Sequence, residues 1–240
     1  MKCPDVTSAL KALAIDVERK KSSLRQSILS WEDNHPIRYV WREPGTCAYN
    51  VLMGEILLEK LKEGAIEAYE LFMGLVPSVN VLLELDDEEL GDVLTAVNLQ
   101  HHLETFRKLV RGLAVERKGE LPRDTDTLGR ISGLPLYRVK AVFCFGYGLP
   151  IAVVDPNVFR MLSHIFAADL PPRMPSGLVE ALAEGLVCYY EPQRYNGAIL
   201  DLADMVCRAN APRCSGCPVS DLCDSVPGVQ ASPRTLVRTV

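Results

Sequence analysis

The chain has 240 residues, enough to bury one sizeable core or two smaller ones, and its apolar content of 48% is ordinary for a water-soluble protein. Its formal net charge of -5 sets it apart from proteins that hold nucleic acid through overall positive charge. No apolar run approaches the roughly 18 residues of a membrane helix, and the N-terminal Met1-Lys2-Cys3-Pro4-Asp5 lacks the apolar segment of a secretion signal. The membrane is therefore excluded as a partner, and the cytoplasm is the expected compartment for a chain with this many thiols.

Leu10, Leu13, Ala14, Val17, Leu24, Ile28 and Leu29 recur at helical spacing and predict a helix over 5–31. Pro36, Pro44 and Gly45 make 31–45 an extended connector, in which Trp41 reads as an anchor to the core. A second helix is expected over 47–61. It is strongly apolar, yet Glu55 lies between Leu52-Met53 and Ile56-Leu57-Leu58. Such a carboxylate belongs either to an exposed polar stripe, the commoner use, or to a cleft, and burial without a partner would raise its pKa.

Short helices follow over 65–73, 86–97 and 100–114, separated at Pro77-Ser78, Asn98 and Gly119. Asp86 to Glu89 put acid into a first turn, where the helix dipole favours it. His101 and His102 are adjacent and so point to different faces, which argues against a metal pair. Arg107, Lys108, Arg111, Arg117, Lys118, Arg123, Arg130, Arg138 and Lys140 make the middle of an acidic chain basic. Such a stretch either tracks a phosphate backbone or forms solvated helix faces with internal ion pairs, and charge alone leaves both open.

A helix from Asp124, the break at Ser132-Gly133, and a helix over 138–147 form an αα-hairpin. In a DNA-binding setting the start of the second helix offers backbone N–H groups to a phosphate. Ile151 to Val154 then lead to Asp155-Pro156, with Asp155 at the cap of a helix over 157–166. Capping is the ordinary role for Asp155, and a chemical role is as open.

Cys207, Cys214, Cys217 and Cys223 follow the spacing C-x6-C-x2-C-x5-C. Four thiolates in so short a segment are soft ligands for one inorganic core, and a 4Fe-4S cluster suits them. Structural zinc sites more often split their ligands into two separated pairs, and disulfides want an extracellular context. Cys3, Cys47, Cys144 and Cys188 have no useful mutual spacing and read as ordinary thiols. Arg208 and Arg213 flank the first loop, either to meet phosphates or to balance a negative cluster.

Preceded by Tyr195 to Val206, this cysteine spacing resembles the C-terminal cluster loop of the endonuclease III superfamily of DNA glycosylases. Gly133 and Asp155, at their separation, resemble the hairpin glycine and the aspartate of that helix-hairpin-helix, Gly/Pro/Asp superfamily. Trp41-Arg42, Tyr49 and Gly54-Glu55-Ile56-Leu57-Leu58 look like the segment of adenine and thymine mismatch glycosylases that carries a functional Glu. The matching segments run in the family's order from about Trp41 to Cys223. The resemblance implies an all-α fold: a six-helix barrel domain with the hairpin over 47–154, and a 4Fe-4S cluster domain built from 1–46 and 155–225, with a tail over 226–240. Duplex DNA carrying a mismatched or damaged base would lie across the groove between them, bound by a monomer.

The resemblance also assigns chemistry. A base inside a duplex is out of reach, so the nucleotide is flipped into a pocket, where Asp155 stabilises positive charge on the sugar or activates water. Glu55 acts on the departing base, provided its pKa is raised. Tyr137 stands where bifunctional members carry the Schiff-base lysine, so no lyase activity is expected, with Lys140 a less favoured substitute amine. DNA contacts are expected from Gly133, Leu134, Leu136 and Arg138 of the hairpin, from Leu99 or Gln100 as a wedge, and from Arg208 and Arg213. The short stretch after Cys223 leaves no room for the domain with which adenine glycosylases read 8-oxoguanine, which favours thymine or uracil opposite guanine. The alternatives are an adenine glycosylase, or a catalytically silent damage-binding module whose hairpin has lost its second glycine to Pro135.

Overall fold

The computed structural model describes residues 6–35, 38–117, 121–168 and 176–226. Cys3, Lys118 and the tail from 227 lie outside them. Among the described residues the chain is helical and has no strand. Its α-helices are α1 (Val6–Glu32), α2 (Ala48–Leu61), α3 (Ala65–Leu75), α4 (Val79–Glu84), α5 (Asp87–Ala96), α6 (Leu103–Arg117), α7 (Thr125–Ser132), α8 (Leu136–Ala141), α9 (Pro156–Ile165), α10 (Ser176–Leu186) and α11 (Pro192–Met205). Of these, α4, α10 and α11 are not foreseen by the sequence reading. A six-residue helix such as α4 shows too little periodicity to be read, and Ser78 starts it by accepting the Val81 N–H.

The chain divides into two compact units, one of residues 37–153 with 189–194, the other of 1–36, 154–188 and 195–240. In the first, α2 is the central helix, with every residue from Val51 to Leu58 buried. The 3-10 turn Val40–Arg42 packs on it. The connector around Trp41, assigned to the cluster domain from sequence, therefore belongs with α2. The reason is a close approach: a Cβ on Gly54 would stand 2.3 Å from the Trp41 ring, so a bare glycine is what lets the indole lie against the helix. Trp41 is fully buried, its ring centroid 4.9 Å from Tyr39 and 4.8 Å from Tyr69.

Helix α7 starts where the Asp124 carboxylate accepts the Thr127 N–H at 2.7 Å. It stops at Gly133, whose φ of +68° is the left-handed value that a glycine tolerates without penalty. Pro135, with φ -64°, begins α8, which continues directly into a π turn over Val142–Gly146.

In the second unit, Leu24 and Ile28 bury the inner face of α1. The Lys20 ammonium, itself buried, reaches Asp16 at 2.9 Å, Asp224 at 2.7 Å and the Ile165 carbonyl at 2.9 Å. One cation thus ties α1, the end of α9 and the chain just beyond the last cysteine. Arg25 closes the end of α10 by donating to the Leu186 carbonyl at 2.8 Å.

Candidate active site and cysteine loop

Glu55 is 0% exposed, and both of its oxygens are engaged. Trp41 Nε1 donates to Oε1 at 3.2 Å, Arg42 Nε to the same oxygen at 2.8 Å, and Arg138 Nη1 to Oε2 at 2.7 Å. Burial alone would raise the pKa of this carboxyl, but the charges and hydrogen bonds of Arg42 and then Arg138 outweigh it and hold Glu55 below its ordinary value. The condition attached to its role as an acid, a raised pKa, is not met. Glu55 is neither a polar stripe nor an acid in an apolar cleft; it is an enclosed anion with two guanidinium partners.

Arg138 is correspondingly committed. Besides Glu55 it donates its Nε to Glu59 at 2.5 Å, and its guanidinium lies 5.3 Å from the centre of the Tyr137 ring. The expectation that it meets DNA phosphate is corrected, because its hydrogen bonds are directed into its own unit. The hairpin is changed in the same sense. The Gly133 N–H is used on the Gly129 carbonyl at 2.9 Å, the Leu134 N–H on Ser132 Oγ at 3.3 Å, and Pro135 has none. The Leu134 side chain is buried, while Leu136 is 51% exposed. Of the hairpin residues expected at DNA, Leu136 is thus the one that presents its side chain outward.

The wedge resolves clearly. Leu99 is 1% exposed and its N–H donates to the Leu94 carbonyl at 2.7 Å, so it is a core residue and not an intercalating one. Asn98 takes the left-handed φ of +59°, which asparagine tolerates better than most residues, and this turns Leu99 inward and leaves Gln100 exposed.

Asp155 is half-buried and caps α9, its Oδ1 accepting the Val158 N–H at 2.7 Å. Pro156 follows at the first helical position, where its missing N–H costs nothing. The carboxylate is fixed at the positive end of the helix. On the same helix Arg160 donates Nε to the Cys207 carbonyl at 3.0 Å, Nη2 to the Ala203 carbonyl at 3.1 Å, and Nη1 to Asn157 Oδ1 at 2.9 Å. The helix that carries Asp155 is thereby tied to the first cysteine.

The cysteine loop folds by short-range turns. Arg213 N–H to the Val206 carbonyl at 3.0 Å closes the six-residue loop, and 3-10 turns over Cys214–Gly216 and Ser220–Leu222 wind the rest. Cys207 interacts electrostatically with Cys217 and Cys223, Cys217 with Cys214 and Cys223, and Cys223 with Cys214. Burial first, and then these neighbouring sulfurs, push the thiols of Cys207, Cys217 and Cys223 up. Four thiols within electrostatic reach of one another are soft ligands for a positive core, and an iron-sulfur cluster fits this donor set. Among the described residues no group of three or more His, Cys, Asp or Glu side chains converges tightly enough to hold a single metal ion. Arg208 and Arg213 are exposed beside the loop.

No family profile matches the chain. It is 27% identical over 196 residues to an adenine DNA glycosylase of Mycolicibacterium smegmatis, covering 80% of this chain and 66% of that protein, and 28% identical over 213 residues to the adenine DNA glycosylase of Homo sapiens, covering 84% and 39%. It is 27% identical over 212 residues to a thymine/uracil-DNA glycosylase of Pyrobaculum aerophilum, covering 83% and 90%. A solved thermostable thymine-DNA glycosylase superposes with a TM-score of 0.76 at 22% identity, over 87% of this chain and 97% of that one. In sequence the chain is similar to adenine and thymine/uracil DNA glycosylases, and in fold to a thymine-DNA glycosylase and to endonuclease III. A trapped endonuclease III–DNA covalent intermediate shares its fold with the chain at a TM-score of 0.65 and 19% identity, over 85% and 96%. The chain spans from two fifths to two thirds of the length of these adenine-acting relatives.

Within this fold, two arginines do work that the sequence does not assign. Arg42 and Arg160 each sit beside a quoted motif, one next to the buried Trp41 and one in the turn after Asp155. That adjacency is the signal that could have found them.

Proposed function

We propose that the chain is a monofunctional DNA glycosylase that removes a mismatched base, thymine or uracil opposite guanine, from duplex DNA. The observation that carries this reading is the fixed carboxylate of Asp155, held at the start of α9 by the Val158 N–H in a chain related to base-removing glycosylases. With the nucleotide flipped out of the stack, breaking the bond between C1′ and the base leaves positive charge on the sugar. Asp155 stabilises that charge and orients or deprotonates the attacking water. Tyr137 has no amine with which to form a Schiff base, so the phosphodiester backbone stays intact.

Cys207, Cys214, Cys217 and Cys223 would hold a 4Fe-4S cluster. When bound, it supplies a rigid cationic core that the four thiolates need, and its role is structural. Through Arg160 the same loop supports the helix of Asp155. Arg208, Arg213 and Gln100 are the exposed groups left to meet DNA, together with Leu136 of the hairpin. The protein works as a monomer in the cytoplasm, where its thiols stay reduced.

A second reading, a damage-binding module without catalysis, draws support from the hairpin, whose N–H groups at 133 and 134 are used internally. Duplexes carrying G:T, G:U, A:G and A:8-oxoguanine, incubated with iron-loaded protein and then treated with alkali, separate the two. Alkali-labile sites at T or U support the glycosylase; binding with no labile site in any duplex overturns it.

A further inference from the structure

We propose that Arg138 is a specificity-determining positioning residue: it fixes Glu55 as an enclosed anion, denies the protein a carboxylic acid there, and so restricts base release to thymine and uracil and away from adenine. The inference rests on the glycosylase reading above and deepens it.

The donors around Glu55 favour its ionised form. Oε1 already accepts from Trp41 Nε1 and Arg42 Nε, and Oε2 accepts from Arg138 Nη1, so a hydrogen added to either oxygen would compete with a donor already there. Arg138 arrives from α8, 83 residues away in sequence, and its second arm holds Glu59, one turn along α2 from Glu55. Two carboxylates and two guanidiniums make a neutral quartet. Of the other elements packed on α2, α3 presents Tyr69 through the Trp41 ring while its Glu67 and Glu70 are exposed, the π turn presents Phe145, 5.6 Å from the Arg42 guanidinium, and α8 carries Lys140 beyond Arg138.

The consequence is chemical. Adenine leaves readily after a proton is added to one of its basic ring nitrogens, so an enzyme that removes it profits from a carboxylic acid. Thymine and uracil have no comparably basic ring nitrogen and leave as anions, which need hydrogen-bond donors and not an acid. A carboxyl locked in its ionised form cannot supply the proton. The bond from C1′ to the base breaks with its electron pair on the base, water adds to the sugar, and the water's proton passes to Asp155 and then to solvent.

Two measurements on iron-loaded protein test this. In protein labelled with 13C at glutamate carboxyls, the Glu55 signal, assigned by its loss in Glu55→Gln, should stay that of a carboxylate to a pH below the ordinary value for Glu. In single-turnover assays from pH 5 to 8, release of uracil from G:U should exceed release of adenine from A:G and A:8-oxoguanine by about a hundredfold or more. Arg138→Gln should raise the Glu55 titration point by about one pH unit and narrow that ratio about tenfold, and Arg138→Lys, with the charge but one donor group, should fall between. A native Glu55 that titrates at or above the ordinary value, adenine released as fast as uracil, or a ratio unmoved by Arg138→Gln overturns the proposal. If no base is released from any duplex, the glycosylase reading fails, and the restriction to thymine and uracil falls with it, while the carboxyl titration still reports whether Glu55 is locked.

Discussion

Arg160 on α9 donates its Nε hydrogen to the carbonyl oxygen of Cys207 at 3.0 Å, so the helix that begins at Asp155 and the loop that begins at the first cysteine are fastened to one another. The same guanidinium also reaches the Ala203 carbonyl and Asn157. Removing it leaves carbonyls at the end of α11 without their donor. Arg160→Met should cost about 1–3 kcal/mol in urea unfolding and lower the iron-to-protein ratio of purified material. Unchanged stability and unchanged iron would mean that the tie is incidental.

Asp155→Asn keeps an N-cap, since asparagine accepts the Val158 N–H as well as aspartate does. The variant should therefore fold and bind DNA like the native protein while base release falls by about a hundredfold or more. Circular dichroism, a gel-shift titration and a single-turnover assay check the three parts. Full activity in Asp155→Asn removes the carboxylate from the chemistry.

Borohydride added to a reaction in progress traps a Schiff base if one forms. With Tyr137 where an amine would be required, no protein–DNA adduct should appear on a denaturing gel. A strong adduct that disappears in Lys140→Met would identify Lys140 as the nucleophile.

The buried Glu55 has a pH signature. The folded pKa of Glu55 lies below its unfolded value, so its contribution to stability is fully present above the unfolded value, about pH 4.3, and is lost as pH falls toward the folded one. Urea midpoints measured from pH 7 downward should thus begin to lose this contribution below about pH 4.3. Glu55→Gln strands Arg42 and Arg138 beside an uncharged amide, which should cost about 3–5 kcal/mol at neutral pH and remove that part of the acid dependence. A variant as stable as the native protein would show the ion pairs to be dispensable.

Leu99 and Gln100 are neighbours with opposite fates. Leu99→Ala should lose about 2–5 kcal/mol of stability, as core leucines do, with DNA affinity following only through folding. Gln100→Ala should leave the unfolding transition in place and weaken binding to mismatched duplex, if the exposed side chain enters the stack. The reverse pattern would return Leu99 to the DNA.

Sequence alone determined what is local in this protein. The long α1, the caps at Asp124 and Asp155, the glycine stop at Gly133 and the cysteine spacing depend on residues within a few positions of one another, and periodicity and capping rules read them. Tertiary structure decided the rest. Whether Glu55 is an acid or an anion depends on Arg42 and Arg138, 13 and 83 residues distant, because the protonation state of a buried carboxyl is a balance between lost hydration and charges brought by other elements. Whether Leu99 is a wedge or a core residue likewise depended on how the turn at Asn98 aims it, and whether Arg138 faces phosphate or protein depended on which carboxylates the fold placed beside it.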